Sequence, residues 1–154
     1  MADFPTLKPA FTMQVLIDPP MNVGSTAKNC NFVVTPMTGG TVKSEPGFSP
    51  AFNGKLASNG NDYIRTDPDE TGASVYINYT GVVELTPEIG AILTGQSESA
   101  STPFGNIFIT LKFESGDADH AALENGIFVA SGRFIYEKGK QPIVDYKVSQ
   151  VCKG

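Results

Sequence analysis

The sequence has no tryptophan, one histidine and two cysteines in 154 residues, and each shortage closes off a kind of chemistry. His120 with the distant pair Cys30 and Cys152 cannot build the common tetrahedral zinc centres, which draw four nitrogen or sulfur ligands from short spacings, so no metal is expected. A lone histidine also leaves no Ser/His/Asp order to assemble. Glycine-rich phosphate cradles are missing: no G-x-G-x-x-G occurs, and "NGKL" (Asn53 to Leu56) lacks both the earlier glycine and the following Ser/Thr of a phosphate loop. Hydride transfer, phosphoryl transfer and metal-assisted hydrolysis are therefore disfavoured, and no cofactor is expected. Positive charge is also short, with 11 basic against 16 acidic residues and a net charge of -5. Phosphate backbones demand concentrated Lys and Arg, so nucleic acid is not an expected partner. No apolar run approaches the roughly 18 residues that span a bilayer, and the amino terminus has no basic stretch leading into an apolar one. The expectation is a cytoplasmic protein with no membrane partner and with free thiols rather than a disulfide. "NYT" at Asn78 matches a glycosylation acceptor but lies within a strand pattern and is discounted.

What is present is a chain of short segments. Apolar residues make up 40% of it and charged residues 18%, with 16 Gly and 11 Pro, a balance that favours many strands over long helices. "FTMQVLID" (Phe11 to Asp18) alternates apolar Phe11, Met13, Val15 and Ile17 with other residues, the mark of a strand with one covered face. "NFVVTPMTGGTV" (Asn31 to Val42) reads as a strand disturbed at Pro36 and sharply bent at Gly39-Gly40. Lys43 to Asn61 reads as a long connection with at most a short strand near Lys55 to Ala57. Further strands are expected at Asp62 to Thr66, Ala73 to Leu85, Asn106 to Glu114, Gly126 to Glu137 and Pro142 to Val151, the last two joined as a hairpin through Lys138 to Gln141. "TPEIGAILTG" predicts one short helix, with Thr86 as cap, Pro87 at its first position and Gly95 closing it. Ser97 to Thr102 reads as a polar linker. Without alternating βα units, this order predicts a single all-β domain, a closed antiparallel barrel of about seven to nine strands, because closure removes exposed strand edges.

The runs "NYTGVVEL", "FITLKFESGD" and "FVASGRF", with "TPMTGGT" and "NGND" upstream, resemble the domain-of-unknown-function family 3237, small proteins of bacteria and fungi. The likeness extends from about Phe11 to Val151. It implies a lipocalin-like antiparallel barrel that often self-associates, as a dimer or larger homo-oligomer. It also implies, for fungal relatives, a place in natural-product pathways. The chain departs from the family where Ala122-Leu123-Glu124 replaces a Trp-Leu-Asn step and where Asp62-Tyr63 replaces Asp-Trp. If the Ala122 position faces a cavity, losing the tryptophan frees about 150 to 250 Å² of side-chain cover for a bulky guest, with the Glu124 carboxylate beside it.

Candidate residues follow from chemistry and alternation. His120 is the natural proton carrier near neutral pH, with Glu114 and Glu124 placed to tune it; the competing reading is a solvent-exposed histidine in the polar loop "SGDADH". On "IFITLKFE" the residues Phe108, Thr110, Lys112 and Glu114 share one face. That face either lines the cavity, where Lys112 and Glu114 pair in low dielectric, or meets solvent; pattern alone leaves both open. Tyr76, Asn78 and Thr80 form a similar row, with a wet outer face as the alternative. Arg133 and Arg65 could bind a carboxylate or enolate oxygen, and Asp62 could accept a proton or fix a neighbouring strand, though a structural ion pair is the simpler reading of all three. Tyr63 and Ala122 complete the expected substrate contacts. These residues lead to one principal expectation: a cofactor-free enzyme that promotes dehydration or cyclisation, such as a hetero-Diels–Alder reaction, of an apolar terpenoid- or polyketide-derived intermediate. A non-catalytic carrier of a lipophilic molecule, an isomerase or dehydratase without cycloaddition, and an assembly protein with a filled barrel are the other readings.

Overall fold

The computed structural model describes residues 3–22, 33–58, 63–66 and 74–154. Among these, the strands are β1 (Thr6–Ile17), β2 (Met21–Asn22), β3 (Val33–Val34), β4 (Met37–Ser44), β5 (Asn53–Leu56), β6 (Tyr63–Thr66), β7 (Ser74–Val83), β8 (Ser99–Ser101), β9 (Ile107–Ser115), β10 (Phe128–Glu137) and β11 (Ile143–Cys152). Two short helices interrupt them, α1 (Pro87–Leu93) and α2 (Ala121–Glu124), the second preceded by a 3-10 turn at Ala118–His120. The main sheet runs β11-β1-β4-β5-β6-β7-β9-β10-β8, while β2 and β3 pair separately. β10 also pairs antiparallel with β11, from Phe128 opposite Gln150 to Ile135 opposite Ile143. The fold is therefore a mostly-β, antiparallel, curled and barrel-like sheet.

Alternation decides which side of the sheet is inside. On β9, Ile107, Ile109, Leu111 and Phe113 are buried while Phe108, Thr110, Lys112 and Glu114 are exposed. Inward residues of neighbouring strands join them: Phe11, Met13, Val15 and Ile17 on β1, Phe128, Ala130 and Phe134 on β10, and Val144, Tyr146 and Val148 on β11. Two elements start earlier or run straighter than the sequence suggests. β1 begins at Thr6 and carries Pro9, opposite Ser149, beside a register shift that leaves Ala10 without a partner on β11, the kind of irregularity next to which a strand accepts proline. β4 passes through Gly39 and Gly40 at φ of +148° and +146° instead of turning there. A Cβ on Gly40 would fall 2.0 Å from the Gln14 carbonyl oxygen of β1, so only glycine lets the two strands close up.

One end of the curled sheet is filled with phenylalanine. The Phe11 ring lies 4.7 Å, centroid to centroid, from both Phe48 and Phe52, 5.7 Å from Phe113 and 5.9 Å from Phe128. Phe48 and Phe52 come from the segment between β4 and β5 that reads as a plain polar connection. The Ser44 hydroxyl pins it, donating to the Phe52 carbonyl and accepting from the Phe52 amide, both at 2.8 Å. We call this the Phe end.

The helix predicted from "TPEIGAILTG" forms as expected. The Thr86 hydroxyl accepts from the Ile89 amide at 3.3 Å, Pro87 opens the first turn, and Gly95 at φ +70° follows the last. Ile89 and Ile92, one turn apart, are buried in the core. Thr86→Ala is expected to destabilise the protein by about 1 kcal/mol, the usual worth of such a cap. Urea unfolding measures it, and no change would mean that burial of Ile89 and Ile92 holds the helix unaided. The strand β8 lies inside the expected polar linker, where Ser99, Ala100 and Ser101 pair with Glu137, Tyr136 and Ile135. Among the described residues no helix is long and apolar enough to cross a membrane.

Candidate functional site

The inner wall changes character from one end to the other. Along β7, Val75 and Ile77 are sealed at 0% and 1% exposure, Tyr79 is half-buried, and Val83 is 47% exposed. This second end carries the polar-headed side chains of the inner wall. Tyr79 and Tyr146 reach towards each other from β7 and β11, ring centroids 5.9 Å apart at an interplanar angle of 55°, and the Tyr79 hydroxyl donates to the Met37 sulfur at 3.0 Å. We call this the Tyr end. Phe134, buried, and Tyr136, half-buried against the core, follow Gly132 on the inner face of β10 towards this end.

The expected catalytic residues lie elsewhere. Since β9 turns its aliphatic side inward, Phe108, Thr110, Lys112 and Glu114 stand on the outer face. A Lys112–Glu114 pair in low dielectric is thus replaced by two separate, solvated side chains. Asn78 is exposed opposite Lys112, and its amide donates to the Tyr76 hydroxyl at 3.4 Å; Thr80 and Thr110 oppose each other with hydroxyls 3.4 Å apart. Ala122 is exposed on α2, so its small side chain opens no interior space. Asp62 lies outside the described residues, as does Cys30. For Tyr63 and Arg65 the backbone register puts them opposite Tyr76 and Ser74. Cys152 is a half-buried free thiol.

Three of the expected residues do meet, on the outside. Tyr76, Glu114 and Glu124 line a shallow cleft of about 510 Å³ with Ser74, Ser115 and Gly116. Glu124 is held there by the Ser115 amide, which donates to its Oε1 at 2.7 Å, and the Ser115 hydroxyl donates to the Ser74 carbonyl at 3.2 Å. Two carboxylates and a phenol could exchange protons with a guest, but an open cleft leaves water in place, which weakens every electrostatic contact made there.

His120 is inside, contrary to the reading of it as a surface residue. It is 4% exposed, its ring meets Phe52 edge-on at 5.9 Å, and its Nδ1 lies 3.5 Å from Asp117 Oδ2 without a hydrogen bond of good geometry. With Leu123, one turn on, it closes the Phe end from the β9–β10 connection. Arg133 is an ion-pair residue. Its Nε donates to Asp145 Oδ2 at 3.0 Å, the other Asp145 oxygen accepts from Gln14 Nε2 at 3.3 Å, and the guanidinium lies 4.9 Å from the Phe104 ring centroid. Gln14, Asp145 and Arg133 are register partners across β1, β11 and β10, so this row lies on the outer side, where Arg133 and Gln14 cover a carboxylate that is 3% exposed.

A family model described as a protein of unknown function (DUF3237) matches residues 5–151. The chain belongs to this family. Solved structures with the same fold include a conserved protein of unknown function from Rhodopseudomonas palustris, 19% identical with a TM-score of 0.70 over 96% of this chain and 98% of that one. A β-barrel-like protein from Acinetobacter baumannii is 20% identical, with a TM-score of 0.65 over 96% of both chains. A protein of unknown function from Clostridium acetobutylicum is 17% identical, with a TM-score of 0.66 over 96% of this chain and 99% of that one. No curated protein matches. At these identities the likeness concerns the fold alone.

Alternation alone does not single out Tyr79 and Tyr146. Tyr79 falls on the apolar face of its strand, opposite Tyr76, and Tyr146 alternates with Asp145 and Lys147; phenols among aliphatic inward positions were the available signal.

Proposed function

We propose that this chain is a closed barrel, the pairing of β10 with β11 completing it, that binds an apolar small molecule through its Tyr end. In this reading it acts as a cofactor-free enzyme of fungal natural-product type that promotes cyclisation of a reactive intermediate. The observation that carries the reading is the inner face of β7, sealed at Val75 and Ile77 and open at Val83, above an end stoppered by phenylalanines. A one-mouthed cup orients a guest and limits water around it. Holding two reacting groups in attack geometry can offset about 7 to 11 kcal/mol of a barrier. On exchanging their present partners for the guest, in the case of Tyr79 the Met37 sulfur, the Tyr79 and Tyr146 hydroxyls would donate to a carbonyl oxygen and so lower the energy of an electron-poor partner, as a hetero-Diels–Alder reaction requires.

Cycloaddition fits this wall better than dehydration does. Among the described residues the buried ionisable side chains other than tyrosine are His120, at the opposite end, and Asp145, on the outer side. A proton-moving step would need one of them near the guest, or the outward Glu114 and Glu124; a cycloaddition moves no proton.

Mixing the protein with a heterodiene precursor and an apolar terpenoid alkene, and following product by chromatography, tests the reading. Acceleration over the uncatalysed reaction is expected, with Tyr79→Phe and Tyr146→Phe each lowering it by up to about tenfold, the worth of one neutral hydrogen bond. Stoichiometric binding without turnover would make the protein a carrier, the second reading. Absence of any binding would remove both.

A further inference from the structure

We propose that Gly132 is the position that sets the size of guest the Tyr end accepts, by letting the Tyr146 ring lie flat against β10; the proposal rests on the cup reading above. Gly132 is on β10 between Tyr146 of β11 and Ile107 of β9, its register partners on either side. A Cβ built on it would lie 2.7 and 2.8 Å from two carbons of the Tyr146 ring and 3.1 Å from Ile107 Cγ2. No ordinary Cβ contact is that close, so the ring occupies the space that a side chain at position 132 would take. Glycine is found in a strand interior where another group must approach the backbone closely, and here that group is a phenol.

The direction of the displacement follows from the neighbours. Ile107 blocks one flank of position 132, and β10 itself lies beneath the ring. A methyl group there lifts the Tyr146 ring away from its strand towards Tyr79, whose ring is already only 5.9 Å away. The cup narrows as the two phenols close on each other. The loss of width costs a large guest far more than a small one.

Titration calorimetry with cyclic ketones from cyclopentanone to cyclododecanone measures this on the intact protein. Gly132→Ala is expected to weaken cyclododecanone by about tenfold or more, the lower end of what one methylene can decide in a fitted pocket, while cyclopentanone changes less than about twofold. Gly132→Ala combined with Tyr146→Val removes the displaced ring together with its hydroxyl, so both ketones are expected to lose up to about tenfold, the worth of that hydrogen bond, while the ratio of large-ring to small-ring affinity returns to the wild-type value. The double variant also shows that the first loss is not a general failure to fold. Because the chain has no tryptophan, near-ultraviolet circular dichroism reads the tyrosines, and the single variant is expected to alter that band without any ketone present. If the wild type binds the ketones but Gly132→Ala changes all ring sizes alike, or none, the role of Gly132 is overturned while the cup stands. If the wild type binds no ketone, the cup reading itself falls, and this proposal with it.

Discussion

Phe11→Ala is expected to lower the free energy of unfolding by about 3 to 5 kcal/mol, the cost of truncating a core aromatic into a cavity that cannot collapse. Phe11 is 1% exposed and meets four other phenylalanines with centroids between 4.7 and 5.9 Å. Truncation therefore removes both buried area and edge or tilted ring contacts, which add about 0.5 to 1.5 kcal/mol apiece beyond area. Its neighbours are held from separate directions: Phe52 by the Ser44 clamp, Phe48 through its amide's bond to the Glu45 carbonyl at 3.1 Å, Phe113 by β9 and Phe128 by β10. None can slide far into the gap. In thermal unfolding the loss should appear as a fall of the midpoint by about 10 °C, taking roughly 2 to 4 °C per kcal/mol for a chain of this size. Leu7→Ala, at a site 61% exposed, is the control and should stay within about 0.5 kcal/mol. A cost below about 1 kcal/mol at Phe11 would mean that the Phe end is loosely packed, and a cup with one closed end would lose its floor.

How much of this could be seen in the chain depended on periodicity. β1, β7, β9, β10 and β11 carry clean alternation and were placed to within a few residues, and α1 announced itself through Thr86, Pro87 and Gly95. Phe48 and Phe52 have no period. They stand among Pro, Gly and Ser, and only the two aromatics themselves hinted that the segment dips into the core. His120 and Leu123 are three residues apart, the spacing of one helical face, yet the surrounding "SGDADHAALENG" is polar enough to read as loop. Which face of β9 points inward was undecidable because both faces carry an aromatic; the structure settles it through Ile107, Ile109 and Leu111, whose aliphatic run matches Ala130 and Phe128 across the ladder. Phe108, Thr110, Lys112 and Glu114 fall on the outer face for the same reason, since alternation shows that two faces differ without showing which is inside.

Arg133→Ala is expected to destabilise the protein by about 3 kcal/mol and Asp145→Ala by only about 1, an asymmetry set by burial. The side chains of the pair are 36% exposed for Arg133 and 4% for Asp145. Removing the arginine strands a carboxylate away from water with a single amide, from Gln14, to replace a full charge. Breaking a buried pair in that way costs about 3 to 5 kcal/mol; the low end applies because water can enter where the guanidinium stood. The same substitution forfeits the stacking on Phe104, about 0.5 to 1 kcal/mol at a partly exposed site. Removing Asp145 instead leaves a guanidinium that already reaches solvent and retains its aromatic partner, so little is stranded. The double variant should then exceed Asp145→Ala only by the lost stacking, about 0.5 to 1 kcal/mol, because the larger penalty of the first change exists only while the carboxylate is there to suffer it. Urea unfolding of the three variants completes the cycle. Equal losses from the two single changes would mean that water reaches Asp145 in the native state. The register supports the pairing independently: Arg133 and Asp145 lie six residues on either side of Gly139, so the tight hairpin brings them together whatever the rest of the sheet does.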